Sequence, residues 1–144
     1  MRIISVLLMF SLLVSFTIPI DCIDTTIYVN EKQTKYDRRF DDYERIKGCP
    51  KYKGGDFKFE QLIDKNLKLS SEAKTQIFNL NYQFTVLCDG RIVNAKQMGD
   101  SRAENWTNIV EIIKGTEGQW TPAKKNDKPV SCIYFAKMFV DGGR

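Results

Sequence analysis

Residues 82–97, with the sequence YQFTVLCDGRIVNAKQ, decide the fold of this chain. Two runs rich in β-branched and aromatic residues flank Asp89-Gly90, a dipeptide that favours the two-residue type I′ turn of a β-hairpin. With that turn, Val86 lies opposite Val93 on a mostly apolar face, and a slip of one residue would turn this face into water. The pattern therefore predicts a hairpin with one register. The other face is predicted to be mostly polar, with the pairs Leu87 and Ile92, Thr85 and Asn94, and Gln83 and Lys96.

Length and composition limit the classes of function that the chain can serve. Its 144 residues suffice for one domain with its own core, and its net charge of +4 comes from dispersed lysines, which argues against nucleic-acid binding. The chain has no histidine, which excludes Ser-His-Asp and Cys-His catalysis and every metal site that needs imidazole. Its four cysteines form no Cys-x-x-Cys motif, so a zinc site is not favoured. We predict neither a metal nor a cofactor.

The N-terminus predicts export. Arg2 precedes an apolar run over residues 3–20, the pattern of a secretory signal, and the run is also about the length that spans a bilayer as an anchor. Cleavage and retention both stay open. Lipidation of Cys22 is disfavoured because the residues before it do not form a lipobox. The chain is thus divided into a signal or anchor (1–22), a spacer (23–48) and a domain (49–144). Residues 25–29 could add a short strand, but a spacer is the preferred interpretation of that segment.

The spacing of apolar residues predicts the remaining elements. Helices are expected over residues 57–67 and 72–78, and from a capping box at Ser101 to Lys114. The apolar stretch 130–140 predicts a last strand, which a crossover helix would leave antiparallel to the first hairpin strand. The expected fold is α+β: a three-stranded antiparallel sheet, ordered second hairpin strand, first hairpin strand, last strand, with helices on one face. The last strand would form an open edge of this sheet.

The same topology bears on the cysteines. Cys88 ends the first hairpin strand and Cys132 begins the last strand, and antiparallel neighbours bring these ends together. A Cys88–Cys132 disulfide and two buried thiols are both compatible with this placement. A pairing of Cys49 with Cys22 or with Cys132 also stays open.

Several motifs, in order, resemble those of a known family. The first is CPKYKGG at residues 49–55, and the second is the helix end Leu62-Ile63 followed by Asn66-Leu67. The hairpin around Asp89-Gly90 and a segment from Trp120 to Val130 follow. Together these motifs resemble the C-terminal domain of TonB, in the form found in exported proteins of Bacteroidetes-type bacteria. The matching residues with an expected structural role are Pro50, Gly54, Gly55, Asp89, Gly90, Trp120, Pro122 and Pro129.

The chain departs from the family pattern at three places. Ser70 stands where a proline usually precedes the second helix, and Phe78-Asn79 lacks the usual glycine before the first strand. Asp127 replaces a turn glycine, and aspartate tolerates the left-handed conformation, so we expect the turn to survive.

The resemblance implies a protein-binding function rather than an enzyme. A TonB-type domain is similar to a β-augmentation module, which pairs the edge of its last strand with a peptide segment of an outer-membrane transporter. The matching edge residues are Ile133, Tyr134, Phe135, Ala136, Lys137, Met138 and Phe139. The spacer of some 25 residues extends at most about 85 Å, which is short for an energy transducer. The implied role is a binding module in the periplasm of a Gram-negative bacterium, in contact with a membrane only through its N-terminal segment.

Two other functions are compatible with the sequence. The open edge of the last strand would also permit a structural homodimer formed by edge-to-edge pairing. A carboxylate-dependent hydrolase would have to use the acidic group Asp37, Asp41, Asp42 and Glu44. These carboxylates alternate with arginines, so a solvated, self-paired charge run is the better interpretation.

Overall fold

The computed structural model describes residues 22, 24–99 and 103–143. The predicted signal or anchor, except for Cys22, and the capping residue Ser101 lie outside the described residues. The elements in chain order are β1 (Ile27–Asn30), α1 (Glu31–Thr34), β2 (Glu44–Ile46), β3 (Lys51–Tyr52), α2 (Asp56–Asn66), β4 (Ile77–Val86), β5 (Ile92–Met98), α3 (Ile109–Lys114), β6 (Trp120–Thr121), β7 (Ala123–Lys125) and β8 (Lys128–Asp141). Short 3₁₀ turns occupy Arg38–Phe40 and Ala73–Thr75. The α+β class is therefore confirmed.

The main sheet has six strands, so the prediction of a three-stranded sheet is wrong. Its order is β2-β1-β8-β4-β5, with β7 also paired to β8, and β3 and β6 form a separate two-stranded sheet. The predicted order of the hairpin and the last strand is found as β5-β4-β8, with antiparallel pairing throughout. The extra strands β1 and β2 come from the segment expected to be a spacer, and β1 pairs parallel with both β2 and β8.

The hairpin is present, but its predicted turn is wrong. Gly90 is the turn residue with positive φ (86°), its N–H donates to the Leu87 carbonyl at 2.8 Å, and the Leu87 N–H donates to the Arg91 carbonyl at 2.8 Å. This is the three-residue loop in which a left-handed glycine follows a tight turn. The extra loop residue shifts the pairing by one, so Val86 faces Ile92 rather than Val93.

A β-bulge restores the predicted register further along the hairpin. The pairing shifts between Gln83 and Thr85, opposite Asn94, whose φ is 55°. Asn94 is the additional residue on β5, because Gln83 again faces Lys96 beyond it, as predicted. The loop holds one residue more than predicted, and the bulge leaves one residue of β5 without a regular partner. The two resulting shifts in register cancel.

The helices are shorter than the sequence predicted, except for α2. The predicted helix 72–78 is only a 3₁₀ turn, because Phe78 and Leu80 alternate with exposed residues and turn to the core as part of β4. The third helix is confined to α3 among the described residues, and it ends at Gly115 as predicted.

Most of the core lies on the helix face of the sheet, which we define as the face covered by α2 and α3. Phe59 of α2 is completely buried, and its ring centroid lies 4.9 Å from that of Trp120 and 5.8 Å from that of Tyr134. Ile109 and Ile113 of α3 pack into the same cluster. On the second face, Val29, Phe40 and Ile133 form a smaller core, so residues 27–40 cover part of that face.

Candidate functional site

The two sides of β8 are not equally paired. On one side, residues 132–141 pair with β4 without interruption. On the other side, β7 pairs with residues 128–130 and β1 with residues 131–133. The prediction that the last strand is an open edge is therefore wrong for its first half. Ile133, predicted to bind a partner, instead faces Val29 and is 4% exposed.

The second half of this side of β8 is open. In the described part of the chain, no strand pairs with residues 134–140 there, a length of roughly 24 Å. We call these residues the open edge. Their side chains alternate between the two faces: Tyr134 and Val140 are buried in the helix-face core, with Ala136 and Met138 packed against it. Burial and neighbouring acidic groups raise the pKa of Tyr134, so this phenol stays neutral.

The second face of the open edge carries an exposed apolar pair. Phe139 is 68% exposed and Ile77 of β4 is 67% exposed. They are diagonal neighbours on one face, because Ile77 pairs with Asp141, two residues beyond Phe139. Lys137 precedes them on the same face, is exposed, and has no carboxylate partner among the residues that the structure describes. Ile77 was not predicted as a site residue, because the sequence placed it in a helix.

Phe135 is already covered by the chain itself. Its ring lies 5.4 Å from that of Phe40, and the Arg39 guanidinium lies 5.3 Å from its centre. Arg39 Nε also donates to Asp37 Oδ1 at 2.9 Å, and this hydrogen bond lowers the pKa of Asp37. The side chains left to meet a partner on the second face are therefore Lys137 and Phe139.

The other edges of the main sheet are protected against strand addition. β5 carries the bulge at Asn94 and the charged Lys96, and β2 and β7 are only three residues long. The open edge has no bulge, and Lys137 is its only charged residue. It is the edge best suited to accept another strand.

Three of the four carboxylates considered for hydrolysis are paired with basic side chains. Asp37 pairs with Arg39, Arg45 Nη2 lies 3.0 Å from Asp41 Oδ1, and Lys125 pairs with Glu44. Within the described residues, no group of three or more His, Cys, Asp or Glu side chains could hold a metal ion. The geometry favours the interpretation of these carboxylates as a solvated charge run.

The residues that match the family motifs occupy structural positions. Gly54 and Gly55 have positive φ angles of 96° and 90° at the entrance to α2, and Trp120 Nε1 donates to Thr116 Oγ1 at 2.9 Å within the core. Asp127 adopts φ 62°, so the expectation that this turn survives is confirmed. The remaining positions are Pro50, buried before β3; Asp89 and Gly90, in the hairpin loop; Pro122, between β6 and β7; and Pro129, opposite Lys124.

The cysteines pair differently from the expectation. Cys88 forms a disulfide with Cys22, with a Cα–Cα distance of 5.7 Å, so none of the pairings that the sequence left open is formed. The reason is the register, since Val86 rather than Cys88 lies opposite Cys132. Cys49 and Cys132 are free thiols, and burial raises the pKa of Cys132 to about 12.

No helix among the described residues is both long and apolar enough to cross a membrane. Comparison of the chain with protein-family models, with curated proteins and with solved structures finds no match. The resemblance to the TonB domain therefore rests on the motifs of the sequence.

Proposed function

We propose that the protein is an exported binding module that pairs the open edge with an extended peptide segment of an outer-membrane or other envelope protein. The observation that carries the proposal is the combination of an unpaired strand edge with the exposed side chains of Phe139 and Ile77 beside it. Isolated exposed apolar residues are common, but an adjacent exposed pair on an open strand edge is typical of an interaction surface.

The edge supplies two kinds of contact to such a peptide. Its main-chain N–H and C=O groups give hydrogen bonds worth about 0.5–1.5 kcal/mol each, which any extended peptide can use. Selectivity comes from the side chains of Lys137 and Phe139, which would face alternate residues of the added strand.

A homodimer formed through the same edge is less well supported. Two copies that pair antiparallel about a two-fold axis at the middle of the open edge place the two Lys137 side chains opposite each other. Like charges directly opposite in a sheet are destabilising. The charge at the centre of the edge thus favours a partner of different sequence.

The proposal is tested by capturing partners from envelope extracts with the whole chain. Phe139→Asp places a charge on the open edge, and the matched control Phe57→Asp changes an aromatic residue that is 70% exposed on α2. We expect the wild-type protein and the control to capture the same envelope protein, and Phe139→Asp to lose it. Equal capture by both variants would refute the proposed edge, and a size that rises with protein concentration would identify a homodimer instead.

A photo-crosslinking residue in place of Lys137 then locates the bound segment. Crosslinks to one short stretch of the captured protein would support strand addition. A synthetic peptide of that stretch should bind, and the same peptide with N-methylated backbone amides should bind weakly, because strand addition needs those donors.

A further inference from the structure

The short strand β1 covers the part of β8 that directly precedes the open edge. It pairs with residues 131–133 on the side of β8 that faces away from β4, and the open edge continues from residue 134 on that same side. If β1 left the sheet, the accessible edge would lengthen from residues 134–140 to residues 131–140, roughly 33 Å. The position of β1 therefore sets the length of strand that a peptide could meet.

Only a few contacts of its own hold β1 in the sheet. It has four residues, and its pairing covers three residues of β8 and three of β2. Tyr28 packs in a small cluster with Cys132, and Val29 packs in another with Ile133. Both clusters are separate from the main core around Phe59. Short elements with few buried contacts open more readily than the core of a domain.

The Cys22–Cys88 disulfide adds a covalent attachment close to β1. Cys22 lies about five residues before Ile27, the first residue of β1, and Cys88 follows the end of β4. The segment that carries β1 and β2 is thus fixed at Cys22 by the disulfide and at Lys51 by the pairing of β3 with β6. A segment fixed at both ends gains little conformational freedom when it leaves the sheet, so the disulfide disfavours opening of β1.

A reductant can reach this disulfide through Cys22, which is exposed, whereas Cys88 is 1% exposed. Exposed disulfides are typically the labile or regulatory ones. A thiolate of an external dithiol attacks Sγ of Cys22, and Cys88 leaves as a thiolate that takes up a proton. The second thiol of the dithiol then displaces Cys22. The two cysteines are reduced to thiols, and the dithiol is oxidised to a disulfide.

We propose that the Cys22–Cys88 bond is a redox switch that controls the length of the accessible β8 edge. With the disulfide formed, β1 stays paired and the open edge alone is accessible. With the disulfide reduced, β1 opens more often, and a longer peptide can pair with residues 131–133 as well. Opening should increase roughly a hundredfold, the loop-closure effect for the some 29 residues from Cys22 to Lys51. The switch rests on the proposed function only for the peptide that binds.

The thiol of Cys132 provides a probe for the opening of β1. Cys132 is completely buried, lies opposite Tyr28 of β1 and packs with Ile46 of β2. The whole chain is treated with iodoacetamide in three forms: with the disulfide, after reduction, and as the variant Cys22→Ser. Mass spectrometry of the peptide that contains Cys132 gives its rate of alkylation. We expect this rate to rise roughly a hundredfold in both forms that lack the disulfide.

Two controls separate local opening from other effects. Cys49→Ser removes a cysteine outside the disulfide and should leave alkylation of Cys132 unchanged. Amide hydrogen exchange in β4 follows unfolding of the whole domain, which depends more steeply on urea than a local opening does. Equal alkylation rates of Cys132 with and without the disulfide would overturn the proposal. A urea dependence as steep as that of exchange in β4 would also overturn it.

Peptide binding is measured separately, with the segment that crosslinks to the open edge. The same peptide, extended by about three residues at the end nearest Ile133, should bind Cys22→Ser at least roughly tenfold more tightly than the disulfide form. Equal affinity for the two forms would refute redox control of the edge. Failure of any peptide to bind would refute the proposed function, while the alkylation of Cys132 would still decide whether the disulfide controls β1.

Discussion

Phe57 and Phe59 provide a direct test of where the stability of this fold resides. Both belong to α2, but Phe57 is 70% exposed whereas Phe59 is completely buried. The Phe59 ring lies 5.2 Å from Tyr52 and 4.9 Å from Trp120, so truncation leaves a cavity between aromatic rings. We expect Phe59→Ala to lower the free energy of unfolding by about 3–5 kcal/mol.

The matched variant Phe57→Ala should change the free energy of unfolding by no more than about 0.5 kcal/mol, because its side chain is already in water. Urea unfolding followed by tryptophan fluorescence measures both variants, and the midpoint should fall for Phe59→Ala with an unchanged slope. Since a loss of this size could unfold a marginal domain, Phe59→Leu, which keeps part of the apolar side chain and should cost less than Phe59→Ala, provides a milder variant. Equal midpoints for the two alanine variants would refute the assignment of Phe59 to the core.

Three further predictions concern the cysteines and the glycines. Thiol titration of the unfolded, unreduced protein should detect two thiols, and Cys88→Ala should cost about 4 kcal/mol or less, the loop-closure value for a sequence separation of 66. Gly90→Ala should destabilise the protein more than Gly118→Ala in urea unfolding: both glycines have positive φ, but only at Gly90 would a new Cβ come within 2.9 Å of a carbonyl oxygen. Because the folded pKa of Cys132 is raised to about 12 from 9.0, its contribution to stability is complete below pH 9.0 and is lost as the pH rises toward 12. Cys132→Ala should therefore show a shallower loss of stability than wild type over that range.

The hairpin shows how far local sequence determines this fold. Alternation along residues 82–88 fixed which side chains of β4 face the helices, and Asp89-Gly90 correctly marked the turn. The sequence did not indicate that Asp89 would keep a negative φ, because Asp-Gly is compatible with both a two-residue and a three-residue loop. The three-residue loop occurs together with the bulge at Asn94, and no local sequence pattern predicts that bulge.

The strands β1 and β2 are a different case, because a short strand over residues 25–29 was compatible with the sequence but not preferred, and β2 was not predicted. They have four and three residues, and β2 carries two charged side chains, so neither presents a clear alternation. They exist because Val29 and Phe40 find apolar partners on the second face of the sheet, around Ile133. Such burial depends on residues about a hundred positions away in the sequence.

The Cys22–Cys88 disulfide has a mechanical consequence. Tension applied to the chain ahead of Cys22 would enter the domain at Cys88, next to the end of β4, and would bypass the short strands β1 and β2. β4 is joined to β8 along ten residues, and hydrogen bonds loaded together along a strand share the force. A peptide held on the open edge would pull on β8 itself. The force that enters at Cys88 and the force from the bound peptide would both act on the pairing of β4 with β8, the longest in the sheet. The short N-terminal strands β1 and β2 would therefore carry little of the force.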